Sequence, residues 1–336
     1  MREIGSEFWT QYNPANVTNT DNEKYLLSGR TALQFIIDDI LLSKNAKKVL
    51  MPSYCCESMI LPFVKSGIDI QFYHVSDREI ECSLHNDADI VLLLDYFGYE
   101  IEENVRIARD NQLAGKTVIY DSTHKIDGNY LVQKYADYSF CSFRKWFYCN
   151  YAKVIKHQGE FFNNHERTFN NRYTNLRDIA QSEKMEYISG EKSKKNFLVK
   201  FSEAEQLLED DYVGYSGIPV DVDVKDIILK RKENASFLMN ELSEVRDVKL
   251  WRNVVGITDS PMFVPVLVAP EIRDALRQKL ISEHIYCPVH WPRSPHHIVH
   301  NKLYDMEISL ICDQRYDVSD MKRISDTIKD FLASKR

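Results

Sequence analysis

Apolar and polar positions alternate between two periods along the first half of the chain. Residues 31–43 (TALQFIIDDILLS) space their apolar side chains as a helix does, with Ser28 and Gly29 ahead of them as caps. A short strand over 48–51 runs into Pro52, a helix follows over 53–65, and a strand over 68–75. Residues 89–96 (DIVLLLDY) have the continuous apolar character of a strand buried on both faces. An acidic helix start follows at 101–103, then strands over 117–121 (TVIYD), 138–143 and 152–156.

Strands separated by helices need crossover connections, which predicts a largely parallel sheet with helices on both faces. In such sheets ligands sit beyond the carboxyl ends of the strands. That singles out Pro52, the segment 96–98, the segment 121–124 and the segment 142–145. Residues 161–208 are polar and helical, and 215–219 reads as a hinge. Beyond it come a long helix over 224–242, strands over 248–251 and 262–268, and an amphipathic helix over 271–284. Short strands over 286–290 and 308–312 and a last helix over 319–334 complete the pattern. The expected organisation is a large α/β domain over 1–216 that binds the ligand, and a smaller C-terminal α/β domain over 217–336.

Charge narrows the partners. Lys and Arg total 43 against 50 Asp and Glu, a net charge of −7, which argues against a broad nucleic-acid footprint. It leaves room for a locally positive pocket. No apolar run approaches the roughly 20 residues that span a bilayer, and the first residues lack a signal peptide's apolar core. The expected address is the cytoplasm. The seven cysteines are odd in number and show no paired framework, so they are expected to be reduced thiols.

Three features carry chemistry. Asp121 ends a strand at the ligand crevice, where a carboxylate can bind a metal, a ribose or a cationic ring nitrogen; alone it reads as a helix-capping acid. Lys145 follows an apolar strand among aromatic residues, and a partly desolvated amine there can attack an aldehyde; alone it reads as a surface lysine. Gly29-Arg30-Thr31 opens a helix, whose unpaired N–H groups form a phosphate seat. Together they supply an anion cradle, an acid and, 24 residues beyond that acid, an amine. Pyridoxal 5'-phosphate requires that set: a phosphate seat, a partner for its pyridine nitrogen and a lysine for the Schiff base.

At these residues the chain resembles the DegT/DnrJ/EryC1/StrS sugar aminotransferases, fold-type-I pyridoxal-phosphate enzymes. Ser28-Gly29-Arg30-Thr31-Ala32-Leu33 is similar to the family's phosphate-binding start, and Met51-Pro52-Ser53-Tyr54 to its strand-end proline segment. Asp95-Tyr96-Phe97-Gly98 resembles its H-L-Y-G turn, and Tyr120-Asp121-Ser122-Thr123-His124 its acid segment. Asp137 and Ser142-Phe143 resemble the residues ahead of its lysine. Arg231-Lys232-Glu233-Asn234 is similar to its R-x-x-N helix, and the IYCPVHWP stretch over 285–292 to its late Y-x-P-L-H segment.

The resemblance implies a three-layer, aspartate-aminotransferase-like large domain and a homodimer in which each chain completes its neighbour's cofactor site. It implies Lys145 as Schiff-base lysine and proton shuttle, and Asp121 as partner of the pyridine nitrogen. Gly29, Arg30, Thr31 and Ser142 would hold the phosphate, His124 would lie near the ring, and His290 would face the substrate. The substrates implied are an amino donor, glutamate or glutamine, and a nucleotide-linked keto-deoxysugar destined for polysaccharide or glycan synthesis.

The sequence also departs from the family. Lys145 follows Ser142 by three residues where the family has five, in an S-x-R-K-W pattern, and the glycine segment that should follow is replaced by Phe147-Tyr148-Cys149-Asn150-Tyr151-Ala152. Cys56 falls where the family stacks an aromatic on the ring, with Tyr54 and Tyr96 as substitutes. Asn170-Asn171-Arg172 is the only suggestion of the loop that reaches the neighbouring subunit. Two other readings therefore stay open: a member that binds a sugar nucleotide or partner without catalysis, and a pyridoxal-phosphate sugar dehydratase. His290, His296, His297 and His300 lack the accompanying ligands of a metal site, so no metal is expected. Phosphate-loop, dinucleotide and G-x-S-x-G patterns are absent.

Overall fold

The structure is a computed structural model that describes residues 2–9, 12–17, 20–77, 80–82, 86–190, 194–296 and 299–335. It is mixed α/β with a mostly parallel sheet, and the chain packs as two compact units. One comprises Met1–Ser6, Lys47–Ala136 and Asp223–Arg336; the other comprises Glu7–Ala46 and Asp137–Val222.

In the first unit the strand order is Ile80–Glu81, Asp69–Val75, Lys48–Pro52, Ile90–Leu94, Thr117–Asp121. The outer pair, at Ile80–Glu81, is antiparallel; the other pairs are parallel. Helices Glu57–Lys65 and Glu102–Leu113 make crossovers. Ile90–Leu94 is buried at every position, as its unbroken apolar run requires. The carboxyl ends of three parallel strands, at Pro52, Leu94 and Asp121, therefore lie along one edge.

The same unit holds a three-stranded antiparallel sheet of Lys249–Leu250, Phe263–Leu267 and Glu307–Ile311. Helices Val224–Leu242, Pro270–Ser282 and Val318–Ala333 accompany it. The strand expected over 286–290 is shorter, Ile285–Tyr286, and pairs with Ile4–Gly5. Pro288 has no N–H to extend the ladder, and its carbonyl accepts from the Ser309 N–H at 3.0 Å instead. The helix expected from 53 begins at Glu57, because residues 53–56 are tied elsewhere. The Ser53 hydroxyl accepts from the Val75 N–H, and the Tyr304 hydroxyl bridges the Cys55 N–H and C=O.

In the second unit the order is Thr168–Phe169, Tyr215–Ser216, Glu23–Leu26, Ala152–Lys156, Tyr138–Ser142, and the last three pair antiparallel. The connection over 143–151 is too short for a crossover, so parallel order is denied to the pair Tyr138–Ser142 and Ala152–Lys156. Helix Gly29–Ser43 packs on Tyr138–Ser142 and Ala152–Lys156. Helices Asn171–Ile188 and Lys194–Asp210 pack on each other through Ala180, Phe197 and Phe201. No helix among the described residues is long and apolar enough to cross a membrane.

Candidate active site

Six of the predicted site residues, Tyr54, Cys56, Tyr96, Asp121, His124 and His290, belong to the first unit. Asp121 is buried at the end of its strand, and its carboxylate accepts the Thr123 N–H at 2.8 Å, a local turn that aims the chain on to His124. His124 is buried, and its Nδ1 accepts the Phe97 N–H at 3.2 Å. The neutral ring therefore carries its proton on Nε2. Phe97 reaches this position through a left-handed backbone, φ 59°, followed by Gly98 at φ 91°. A Cβ on Gly98 would stand 1.9 Å from the Ser260 carbonyl oxygen, so only glycine lets this turn lie against residues 260–262.

Around His124 lies a wall of rings. Trp291 stacks on it with centroids 5.6 Å apart, and His290 meets it edge to face at 5.7 Å. Tyr54 and Tyr96 stack at 5.8 Å, with Trp251 against both. The Tyr96 hydroxyl donates to the Tyr54 carbonyl at 2.5 Å, and the Tyr54 hydroxyl to the His290 carbonyl. Burial pushes both phenols well above their ordinary range. Cys56 precedes helix Glu57–Lys65, its Sγ 2.8 Å from the Ser58 hydroxyl.

His290 is buried and doubly tied. Its N–H donates to Glu307 Oε2 at 2.7 Å, and its Nδ1 lies 2.8 Å from the Ser309 hydroxyl, which itself donates to Glu307 Oε1. Burial pushes the Glu307 carboxyl up to about 8. Trp291, Glu307 and Ser309 went unnoticed in the sequence. Glu307 and Ser309 alternate with apolar residues in EISLI, so a period-2 pattern placed them on one face of a strand, but nothing in it said what that face meets.

Gly29, Arg30, Thr31, Ser142 and Lys145 belong to the second unit. Ser28 caps helix Gly29–Ser43 by accepting the Thr31 N–H, and the Thr31 hydroxyl donates to the Tyr212 carbonyl at 2.6 Å. A Cβ on Gly29 would lie 3.1 Å from Ser142 Cβ, so the missing side chain lets the strand end close on the helix start. Arg30 lies over the Tyr212 ring, 3.9 Å from Glu209, and its Nη1 is buried without a hydrogen-bond partner among the described residues. Lys145 closes the single 3₁₀ turn Phe143–Lys145, is half-buried, and forms no ion pair among the described residues.

The turn is anchored on both sides of that lysine. Arg144 makes a two-pronged bond to Glu205 at 2.6 and 3.1 Å, and Trp146 is fully buried. Arg177 Nη1 donates to the same carboxylate at 3.1 Å. Asn170, expected to help reach a neighbouring subunit, caps helix Asn171–Ile188 by accepting the Tyr173 N–H.

These residues fit pyridoxal phosphate as far as each unit shows. The second unit holds a helix start opened by glycine and, among the described residues, a guanidinium nitrogen of Arg30 without a hydrogen-bond partner and an amine without an ionic one. The first holds a buried carboxylate at a strand end. His297 lies outside the described residues; among those described, no group of three or more His, Cys, Asp or Glu is placed to hold a metal ion.

No protein-family model matches the chain, and a comparison with curated proteins finds no relative. Solved structures do match. The aminotransferase TlmJ from Streptoalloteichus hindustanus superposes with a TM-score of 0.66 at 15% identity, over 94% of this chain and 86% of its own. NtdA from Bacillus subtilis, solved with bound cofactor PMP, gives 0.62 at 14%, over 94% and 73%. DesI, solved in the presence of its TDP-sugar product, gives 0.62 at 11%, over 94% and 83%. The chain has the fold-type-I aminotransferase fold. Identity this low carries the architecture and leaves the chemistry to the residues of the site.

Proposed function

We propose that the protein is a pyridoxal-phosphate-dependent aminotransferase. It moves an amino group from an amino acid, glutamate by the family resemblance, to the keto group of a nucleotide-linked deoxysugar used in glycan synthesis. The observation that carries this reading is a fold shared along nearly the whole chain with a protein solved with PMP and one solved with a TDP-sugar. The half-buried Lys145, which forms no ion pair among the described residues, and the glycine-opened helix start of the same unit support it.

When bound, pyridoxal phosphate supplies an aldehyde that condenses with amines and a ring that takes up the electron pair left at carbon. Gly29, Arg30, Thr31 and Ser142 would hold its phosphate, and Asp121 would pair with its ring nitrogen. Lys145 would bond the aldehyde at rest and, once displaced, carry a proton on its Nζ between donor carbon and cofactor carbon. His124 would give a hydrogen bond from Nε2 at the ring. Tyr54, Tyr96 and Cys56 are proposed neighbours of the ring, and His290 of the substrate. The protein would act as a homodimer.

The visible spectrum of the purified protein, before and after glutamate, tests this. A cofactor band that bleaches with glutamate and is absent from Lys145→Ala is the expected result; Asp121→Asn should keep cofactor and lose most of the rate. A colourless protein that takes up no pyridoxal phosphate overturns the reading in favour of a sugar-nucleotide binder.

A further inference from the structure

The turn that carries Lys145 is short and, on its own backbone, weakly held. It closes through the Trp146 and Phe147 N–H groups, which both donate to the Phe143 carbonyl, at 2.8 and 3.3 Å. A single 3₁₀ turn has poorer hydrogen-bond geometry than an α-helix, so its conformation depends on contacts from outside. The residues that follow, Phe147-Tyr148-Cys149-Asn150-Tyr151, include three aromatic rings and no glycine.

Side chains on both flanks of the lysine supply those contacts. Ahead of it, Arg144 bonds Glu205 of helix Lys194–Asp210 through both Nη atoms, and its Nη1 also donates to the Tyr173 hydroxyl at 3.2 Å. Arg177 of helix Asn171–Ile188 is 2% exposed and donates to the same carboxylate and to Glu7. Behind the lysine, Trp146 is fully buried, and the Tyr148 hydroxyl donates to Asp178, next to Arg177 on its helix. Phe143 stacks on Tyr151 with centroids 4.8 Å apart. All of these residues belong to the second unit. Lys145, between the two anchors, is half-buried and forms no ion pair among the described residues.

We propose that Arg144 and Tyr148 are positioning residues for Lys145: bonded to Glu205 and Asp178 on two packed helices, they hold the turn so that the amine is presented in one place. The proposal deepens the aminotransferase reading and rests on it for what the amine reacts with. Fixing a lysine amine already costs the rotamer freedom of its stem, and a backbone held beforehand removes the further cost of ordering the turn. Arginine is required at 144 because its planar fork meets both carboxylate oxygens, which the point charge of a lysine cannot do.

Hydrogen exchange of the cofactor-free protein tests the anchors first. In Arg144→Lys, Glu205→Gln and Tyr148→Phe, amides over 143–148 should exchange about tenfold faster than in the wild type, while those of Ile90–Leu94 keep their protection. Lys200→Met is the control. It breaks the Lys200–Glu183 pair at 2.9 Å between the same two helices and should leave 143–148 as in the wild type. Borohydride trapping of added pyridoxal phosphate, located by mass spectrometry, then follows the amine. Its attachment to Lys145 should be about tenfold slower in Arg144→Lys. In a Lys145→Ala background, where the anchors have no lysine to place, Arg144→Lys should leave affinity for the cofactor unchanged. Unaltered exchange over 143–148, equal loosening by Lys200→Met, an unaltered attachment rate, or an equal loss of cofactor affinity without the lysine overturns the proposal. A wild type that attaches no pyridoxal phosphate at Lys145 overturns the proposed function and leaves the exchange result to decide the anchors, so the two fail separately.

Discussion

Replacing Glu205 by Gln removes a carboxylate that two guanidinium groups share next to the proposed Schiff-base lysine. Burial alone would raise this carboxyl. Arg144 and Arg177 beside it prevail and bring it from 4.5 down to about 2. At about 1.4 kcal/mol per pH unit, that depression is worth about 3 kcal/mol. The Glu205 side chain is 35% exposed, so solvent screens the pair; about 1–2 kcal/mol is what remains. A depressed carboxyl stabilises the folded state fully above its unfolded value of 4.5, and the contribution fades as pH falls through the folded value near 2. Urea unfolding of wild type and Glu205→Gln should therefore differ by about 1–2 kcal/mol at pH 7. The difference should shrink steadily below pH 4.5 as the wild-type group gains its proton. Arg144→Met should couple to Glu205→Gln in a double-mutant cycle at pH 7, because the two touch. Equal stability at pH 7, or a difference unchanged at pH 3, would refute the reasoning.

Gly98→Ala should prevent stable folding, or cost more than about 3 kcal/mol, since its Cβ meets a backbone oxygen at 1.9 Å with φ at +91°; soluble yield and thermal melting check it. Asn234→Ala should cost about 2–3 kcal/mol in chemical denaturation, because the Nδ2 group serves the carbonyls of Cys312, Asp313 and Tyr316 at 3.0–3.3 Å. Burial raises the Glu307 carboxyl from 4.5 to about 8, so its contribution to stability is full below 4.5 and is lost as pH rises through 8. The stability of wild type relative to Glu307→Gln should fall by about 4–5 kcal/mol across that window, measured by unfolding at both ends. Gly29→Ala should weaken pyridoxal-phosphate retention about tenfold or more by pushing Ser142 away, with stability changed by less than about 1 kcal/mol; cofactor titration followed in the visible checks it.

Much of the architecture was legible from periodicity. The run IVLLL and the segment TVIYD end where a parallel strand should end, with Asp121 at the tip. The 224–242 helix and the Ser28 cap stand where their residues place them. The R-x-x-N helix shows what such spacing does: Arg231 donates to the Met262 carbonyl and Asn234 ties the 312–316 turn, both side chains buried.

Periodicity reports which face of an element is apolar. It carries no information on strand direction or on which distant side chain meets a polar one. The antiparallel pairing of Tyr138–Ser142 with Ala152–Lys156 followed from loop length, a weaker signal than the alternation of helix and strand that suggested parallel order. Arg144 and Glu205 lie 61 residues apart, and His290 and Ser309 lie 19 apart. In the sequence each is an ordinary charged or polar residue. A buried polar group must find its partner wherever the fold puts one, because water cannot reach it. The chain alone thus determined its strands, its helices and the residue types available for chemistry. Only tertiary packing decided that Glu307 would be enclosed with His290, and that Lys145 would stand next to an arginine already held.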